Sequence, residues 1–192
     1  MNSTVQTLSI TSSTTGRQSC EHHVCACGQS VDTRGLHGLS CCWSAPRQQR
    51  HSHFNDIIWR AIKRAHIPAI KKPASLMKED NKRPDGTTLL SWSRGKPLAW
   101  DVTIPDTYVE SHIANTSMTP GVAADQAAQQ KTSKYASLIS THIFCPIANE
   151  TAWTWNSRAA ELVQELGRRT TLVTEDPRET TYLFQRLSIA LQ

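Results

Sequence analysis

No apolar run in this chain of 192 residues approaches the ~20 that a membrane-spanning helix needs. Its first residues, Met1-Asn2-Ser3-Thr4, lack the basic start and apolar block of a secretory signal, so secretion is not expected. No segment recurs at a fixed period, which argues against repeat architectures. Acidic residues are outnumbered, 16 against 21 basic, and the formal net charge is +5. That balance permits nucleic-acid binding without establishing it. The surplus is concentrated: positions 47–83 hold ten Lys or Arg and three Asp or Glu. The length suits one domain, or one domain with a small module.

Cysteine is present and clustered. Residues 1–18 are rich in Ser, Thr and Gln and read as a disordered tail. Residues 20–42 then hold five of the six cysteines and three histidines. Without secretion the thiols are expected to be reduced, which puts metal binding ahead of a disulfide framework. The tightest set is Cys25-Ala26-Cys27-Gly28, followed by Gly35-Leu36-His37-Gly38-Leu39-Ser40-Cys41. Cys25, Cys27, His37 and Cys41 together suit tetrahedral zinc, and four protein ligands leave no open position, which makes the expected role structural. The single residue between Cys25 and Cys27 is a shorter spacing than is usual in zinc sites. Cys20, His22, His23 and Cys42 compete as ligands, and a Cys-rich loop without metal is the plainer alternative.

Residues 83–103 carry the second concentration of chemistry. Two β-rich runs flank the polar turn Ser93-Arg94-Gly95-Lys96, which predicts a hairpin with Gly95 supplying a positive φ. In the second run Leu98, Trp100, Val102 and Ile104 share one face; Ala99, Asp101 and Thr103 share the other. Folding about Gly95 brings Asp85, just after Pro84, near the level of Asp101, to within a residue or two of register. Two carboxylates so close repel each other unless a cation lies between them, and a hard divalent ion with oxygen ligands resolves the conflict. A surface hairpin with two solvated aspartates is the alternative.

The flanks predict helices. Over residues 55–65 the apolar stripe is Ile57, Ile58, Ala61, Ile62 and Ala65, led by Phe54 and ended by Pro68. Arg47, Arg50 and His51 lead in, as a solvated basic face or as a rest for phosphates. Residues 67–77 are expected to be extended and to end in a strand, and residues 105–121 to form a connector with a helical turn at 108–114. A helix is expected over 122–140, with Ala124, Ala127, Ala128, Lys131, Lys134, Tyr135 and Leu138 on one stripe. A lysine on an inward stripe must snorkel out or find an anion. A strand at 142–149 carries Cys145 as core filler. A helix at 155–166 is expected to close at Gly167, and a last one to open at Asp176-Pro177 and run to the final residue.

Helix, strands with a carboxylate hairpin, helix, strand, helix is an order that suits an α/β fold, a mixed sheet covered by helices. The hairpin resembles the signature of the PD-(D/E)XK nucleases, the restriction-endonuclease-like fold: Pro84-Asp85, then Asp101-Val102-Thr103 on the next strand. Thr103 stands where that signature has Lys, a departure from the strict motif. From about Cys25 onward the chain is more closely similar to the restriction-like endonuclease region of site-specific non-LTR retrotransposon polyproteins. There a Cys-Cys-His-Cys knuckle precedes Arg- or Lys-Pro-Asp and a second acidic residue. Cys25, Cys27, His37 and Cys41 match the knuckle; Arg83-Pro84-Asp85 and Asp101 match the carboxylate motif, with fifteen residues between the two Asp.

On this resemblance, residues 1–18 are the tail, 19–50 a zinc-knuckle module and 51–192 a restriction-endonuclease-like domain. The resemblance implies a metal-dependent endonuclease that nicks DNA at an insertion target. Asp85 and Asp101 would hold magnesium. Because the active-site Lys of this fold can migrate to a neighbouring helix, Lys131 and Lys134 are the candidates for the missing cation. Lys134 is preferred, since Tyr135 beside it anchors that turn inward. Arg83, Arg47, Arg50 and His51 would meet phosphates. The implied partners are DNA, retroelement RNA or a reverse transcriptase encoded elsewhere, with no membrane, and the implied location is the nucleus. No reverse transcriptase is present, so the resemblance makes the chain a fragment, a relic or a separate gene. The rival reading is a zinc-containing nucleic-acid-binding module without catalysis, favoured by Thr103, or a retroelement remnant.

Overall fold

The alternation in Leu98-Ala99-Trp100-Asp101-Val102-Thr103 builds an inner strand with two differently used faces. The computed structural model describes residues 20–35, 37, 41, 45–74, 76, 83–105, 120–150 and 154–191. The expected tail at 1–18, Cys42 and the helical turn at 108–114 lie outside these. Among the described residues the chain is mixed α/β, with four α-helices and two sheets. A small antiparallel pair, β1 (His23–Val24) and β2 (Ser30–Val31), comes first. The larger sheet has the order β3 (Ala69–Lys71), β4 (Gly86–Thr88), β5 (Leu98–Thr103), β6 (Ile143–Ala148). Its first three strands run antiparallel, and β6 joins parallel to β5.

Helix α1 (Ala45–Arg64) precedes the sheet; α2 (Val122–Lys134) crosses from β5 to β6; α3 (Ser157–Thr174) and α4 (Glu179–Ile189) follow. Leu98, Trp100 and Val102 of β5 pack with Phe54, Ile58 and Ile62 of α1, Leu166 of α3 and Leu187 of α4 in the main core. On the other sheet face, Ala99 and Phe144 pack against Tyr135 and Leu138, and Ala148 against Ala124 and Ala128 of α2. The sheet is thus covered on both sides, and small alanines let α2 lie close to it. Asp101 belongs to the α2 side.

Several element limits differ from the sequence expectation. Helix α1 starts ten residues before position 55, because Pro46 falls in its first turn, where a missing N–H costs no hydrogen bond. It passes without a break through the position expected to divide knuckle from domain. It also stops at Arg64, ahead of Pro68, with His66 at φ 57° and Ile67 N–H donating to Ile62 O. Strand β3 lies near the start of the 67–77 segment, where the expectation put it at the end. The helix expected over 122–140 breaks at Tyr135 and continues as a 3₁₀ turn, Ala136–Ser140.

Gly167 does not close α3, which runs on to Thr174. The glycine is there because α4 crosses at that point: a Cβ on Gly167 would meet Thr180 Oγ1 at 2.3 Å and Thr180 Cα at 2.5 Å. The last helix begins at Glu179, two residues after Pro177, and ends at Ile189 before the final residue. Asp176 Oδ1 accepts the Arg178 N–H at 2.9 Å, so its capping chemistry is realised one turn early.

Candidate functional site

Two clusters of functional side chains result. The first is the knuckle. A turn at Gly28 (φ 86°) joins β1 to β2, with Cys25 N–H on Gln29 O and Gly28 N–H on Cys25 O, both 2.8 Å. Gly35 (φ 68°) redirects the chain toward His37, and Cys41 N–H donates to His37 O at 2.8 Å, a helical spacing that sets both side chains on one side. The ligand atoms of Cys25, Cys27, His37 and Cys41 all lie within 4.8 Å of one another. Cys25 Sγ and Cys41 Sγ are 3.6 Å apart, and Cys27 Sγ lies 3.1 Å from His37 Nε2. Two sulfurs on a tetrahedral zinc at ~2.3 Å are about 3.8 Å apart, so the spacing and the donor set both fit that ion. The Cys25 thiol is drawn down to about 6, first by the Cys27 backbone N–H and then by the Cys27 and His37 side chains. Of the competing ligands, Cys20 Sγ is engaged with Asp32 O at 3.2 Å and His23 Nδ1 with Glu21 O at 2.8 Å.

The second cluster lies where β4 gives out beside β5. The antiparallel register pairs Gly86 with Trp100, so Asp85 falls one step further on, beside Asp101. Gly86 is required there: a Cβ would lie 2.1 Å from the Trp100 ring. Both aspartates are buried, Asp85 at 8% and Asp101 at 4% exposure. Asp85 Oδ2 accepts the Val102 N–H at 2.7 Å and lies 3.1 Å from His51 Nε2. The same Nε2 is 3.1 Å from Val102 O, so it carries a proton shared between two acceptors. Its partner Asp85 is the main reason that the His51 imidazole is raised above its ordinary value, against the opposing effect of burial.

Asp101 takes its partners from the α2 side. Tyr135 OH reaches Asp101 Oδ1 at 3.1 Å and Arg83 O at 2.8 Å, serving one of the two at any instant with its single proton. Lys131 Nζ lies 2.5 Å from Asp101 Oδ2, an ion-pair approach outside hydrogen-bond angles; Oδ2 otherwise has no partner. Burial raises the Asp101 carboxyl above the usual range, and Lys131 opposes that rise. Tyr135 is raised as well, first by burial and then by Asp101.

No protein-family model and no curated protein matches the chain.

The structure brings together His51 of α1, Asp85 just before β4, Asp101 of β5 and Lys131 of α2. Lys134 is exposed, its ammonium 4.9 Å above the Tyr135 ring. Tyr135 does turn inward, but the inward turn carries Lys131, four residues earlier, to the carboxylates. His51 faces Asp85 where a phosphate contact was expected. Arg83 and Arg47 are exposed, and Arg50 is half-buried with its Nε lacking a hydrogen-bond partner. Thr103 closes the end of β5.

Sequence reasoning missed Glu150. Its side chain is 1% exposed, and Oε1 accepts the N–H groups of Ala123 and Ala124 at 2.9 and 3.1 Å. These are orphan donors at the start of α2, whose own N-cap is Gly121 with no side chain to offer. A carboxylate from the end of β6 thus fixes the helix that carries Lys131. A solitary Glu after a strand gives no local signal of this.

Proposed function

We propose that the chain is a metal-dependent DNA endonuclease of the PD-(D/E)XK, restriction-endonuclease-like kind, derived from a non-LTR retrotransposon and nicking DNA at an insertion target. The observation that carries this reading is the ion pair of Lys131 with Asp101, next to Asp85, on buried strand ends. It supplies a cation from a neighbouring helix where Thr103 offers none. The hard oxygen donors of the two aspartates suit magnesium, with Asp101 Oδ2 buried and held only by the Lys131 ion pair. Magnesium held by Asp85 and Asp101 would polarise the scissile phosphate and lower the pKa of bound water.

The chain's own groups do the rest. The Val102 N–H and His51 hold Asp85 Oδ2, which leaves Oδ1 free of these bonds. Tyr135 and Lys131 orient the two oxygens of Asp101. The Lys131 ammonium stabilises the negative charge that gathers on the phosphate in the transition state. Arg83, Arg47 and Arg50 neutralise backbone phosphates, so affinity falls with salt. Zinc in the Cys25-Cys27-His37-Cys41 knuckle is structural. DNA is the substrate, with retroelement RNA or a separately encoded reverse transcriptase as partner, in the nucleus.

Thr103 favours a second reading, a zinc-containing module that binds nucleic acid without cutting it. Plasmid nicking in magnesium, with Asp85→Ala alongside, separates the two. Nicking by the wild type alone is the expected result. If neither protein cuts and both retard DNA on a gel, the binding module is correct.

A further inference from the structure

Arg94 occupies a backbone position that suits few residues. Arg94 at φ 50° and Gly95 at φ 73° are both left-handed, the signature of a tight hairpin turn that favours Asn-Gly. An arginine there is strained. The turn delivers Arg94 and Lys96 to an open pocket of ≈ 330 Å³, where Arg158 joins them from the first turn of α3. Ile139, Ile143 and Phe144 supply the apolar part of the lining, and among the described residues no carboxylate lines it. Lys96 Nζ donates to Ile139 O and Arg158 Nη2 to Phe144 O, both at 2.9 Å. Backbone carbonyls thus hold these two heads in place without neutralising them. None of the ion pairs among the described residues involves Arg94, Lys96 or Arg158. Three cationic side chains line one open pocket, and an anion is the occupant their charge favours.

The pocket is placed with respect to Asp101. Phe144 pairs with Ala99, two residues from Asp101 along β5, and Lys96 lies five residues from it. At ~3.4 Å per residue these are about 7 Å and about 17 Å, a span that a short stretch of nucleic-acid backbone covers. Thr132, also in the lining, directly follows Lys131 on α2.

The geometry points to a second phosphate subsite, in which Arg94, Lys96 and Arg158 hold a backbone phosphate of the strand whose scissile phosphate lies at Asp101. The sugar attached to that phosphate rests on Ile139 and Ile143. The subsite rests on the nuclease reading of the Asp85–Asp101 cluster. It is tested by fluorescence anisotropy of a labelled oligodeoxynucleotide with the full chain, comparing wild type with the pair Arg94→Asn and Lys96→Gln. Affinity is expected to fall about tenfold or more, and the salt slope to shrink by about one to two phosphate contacts. The melting temperature is expected to hold or rise, because Asn suits the left-handed turn position. Arg158→Gln is expected to act in the same direction on binding. Unchanged affinity and slope in these variants, with a wild type that binds and nicks DNA, would overturn the subsite and leave the nuclease reading standing. A wild type that does not bind DNA overturns both. Free thymidine monophosphate bound as tightly as the oligonucleotide would overturn the assignment to a polymer backbone.

Discussion

Lys131 on α2 sets its ammonium 2.5 Å from Oδ2 of Asp101 on β5. The two residues lie 30 positions apart, and they meet because the alanines of α2 let that helix lie against the sheet face that Asp101 occupies. The pair gives the carboxylate cluster the cation that its own strand lacks. It also balances a buried carboxylate, whose lone charge burial would disfavour.

The helix that carries Lys131 depends on Glu150. Glu150→Ala leaves the Ala123 and Ala124 N–H groups buried without an acceptor, and is expected to cost about 3 kcal/mol in urea unfolding. Glu150→Gln keeps an oxygen acceptor and loses only the charge, at about 1 kcal/mol. Equal stability of the Ala variant and wild type would show that this contact does not hold the helix.

Zinc is expected at about one ion per chain in protein purified without chelator. Removal by a strong chelator, or Cys41→Ser, should loosen the knuckle while the four-stranded sheet, whose core excludes the knuckle cysteines, stays folded. Circular dichroism and zinc assay of the same samples check this. Zinc well below stoichiometry, with no change on chelation, would contradict it.

A pH effect follows from Glu165. Arg168 first, and Arg169 with it, pull its carboxyl down to about 2. A lowered carboxyl contributes stability in full above the unfolded value of about 4.3. That contribution is lost as pH falls toward 2. The melting difference between wild type and Glu165→Gln should therefore favour wild type at pH 6, shrink below about pH 4 and vanish only below about pH 2. The pair is partly exposed, so solvent screening keeps its contribution small. A difference that grows on acidification would contradict the pairing. Arg169 also stacks on Trp92, 3.7 Å from its ring centre, so this ion pair fastens the hairpin to α3.

The hairpin was the most legible element. Its period-two alternation, its turn and the approximate level of its two aspartates follow from local rules, while the exact register, Gly86 opposite Trp100, comes from the structure. The Cys/His cluster was legible for the same reason, since Cys25, Cys27, His37 and Cys41 sit close in sequence and converge in a set that could hold zinc. Signals that depend on a distant partner were misread or unseen. Gly167 resembles a helix stop, yet Thr180 of the crossing helix is what forbids a side chain there. His51 reads as part of a basic lead-in, and only the packing of α1 brings it to Asp85. Lys131 and Lys134 share a sequence stripe, but one helical turn separates an ammonium at a carboxylate from one in solvent.

The most direct measurement is single-turnover nicking of supercoiled plasmid in magnesium by wild type, Lys131→Met and Lys134→Met. The account predicts nicking by wild type, a loss of about 100-fold or more for Lys131→Met, and a rate within about threefold of wild type for Lys134→Met. Cleavage by Lys131→Met at the wild-type rate, or no magnesium-dependent nicking by the wild type, would contradict it.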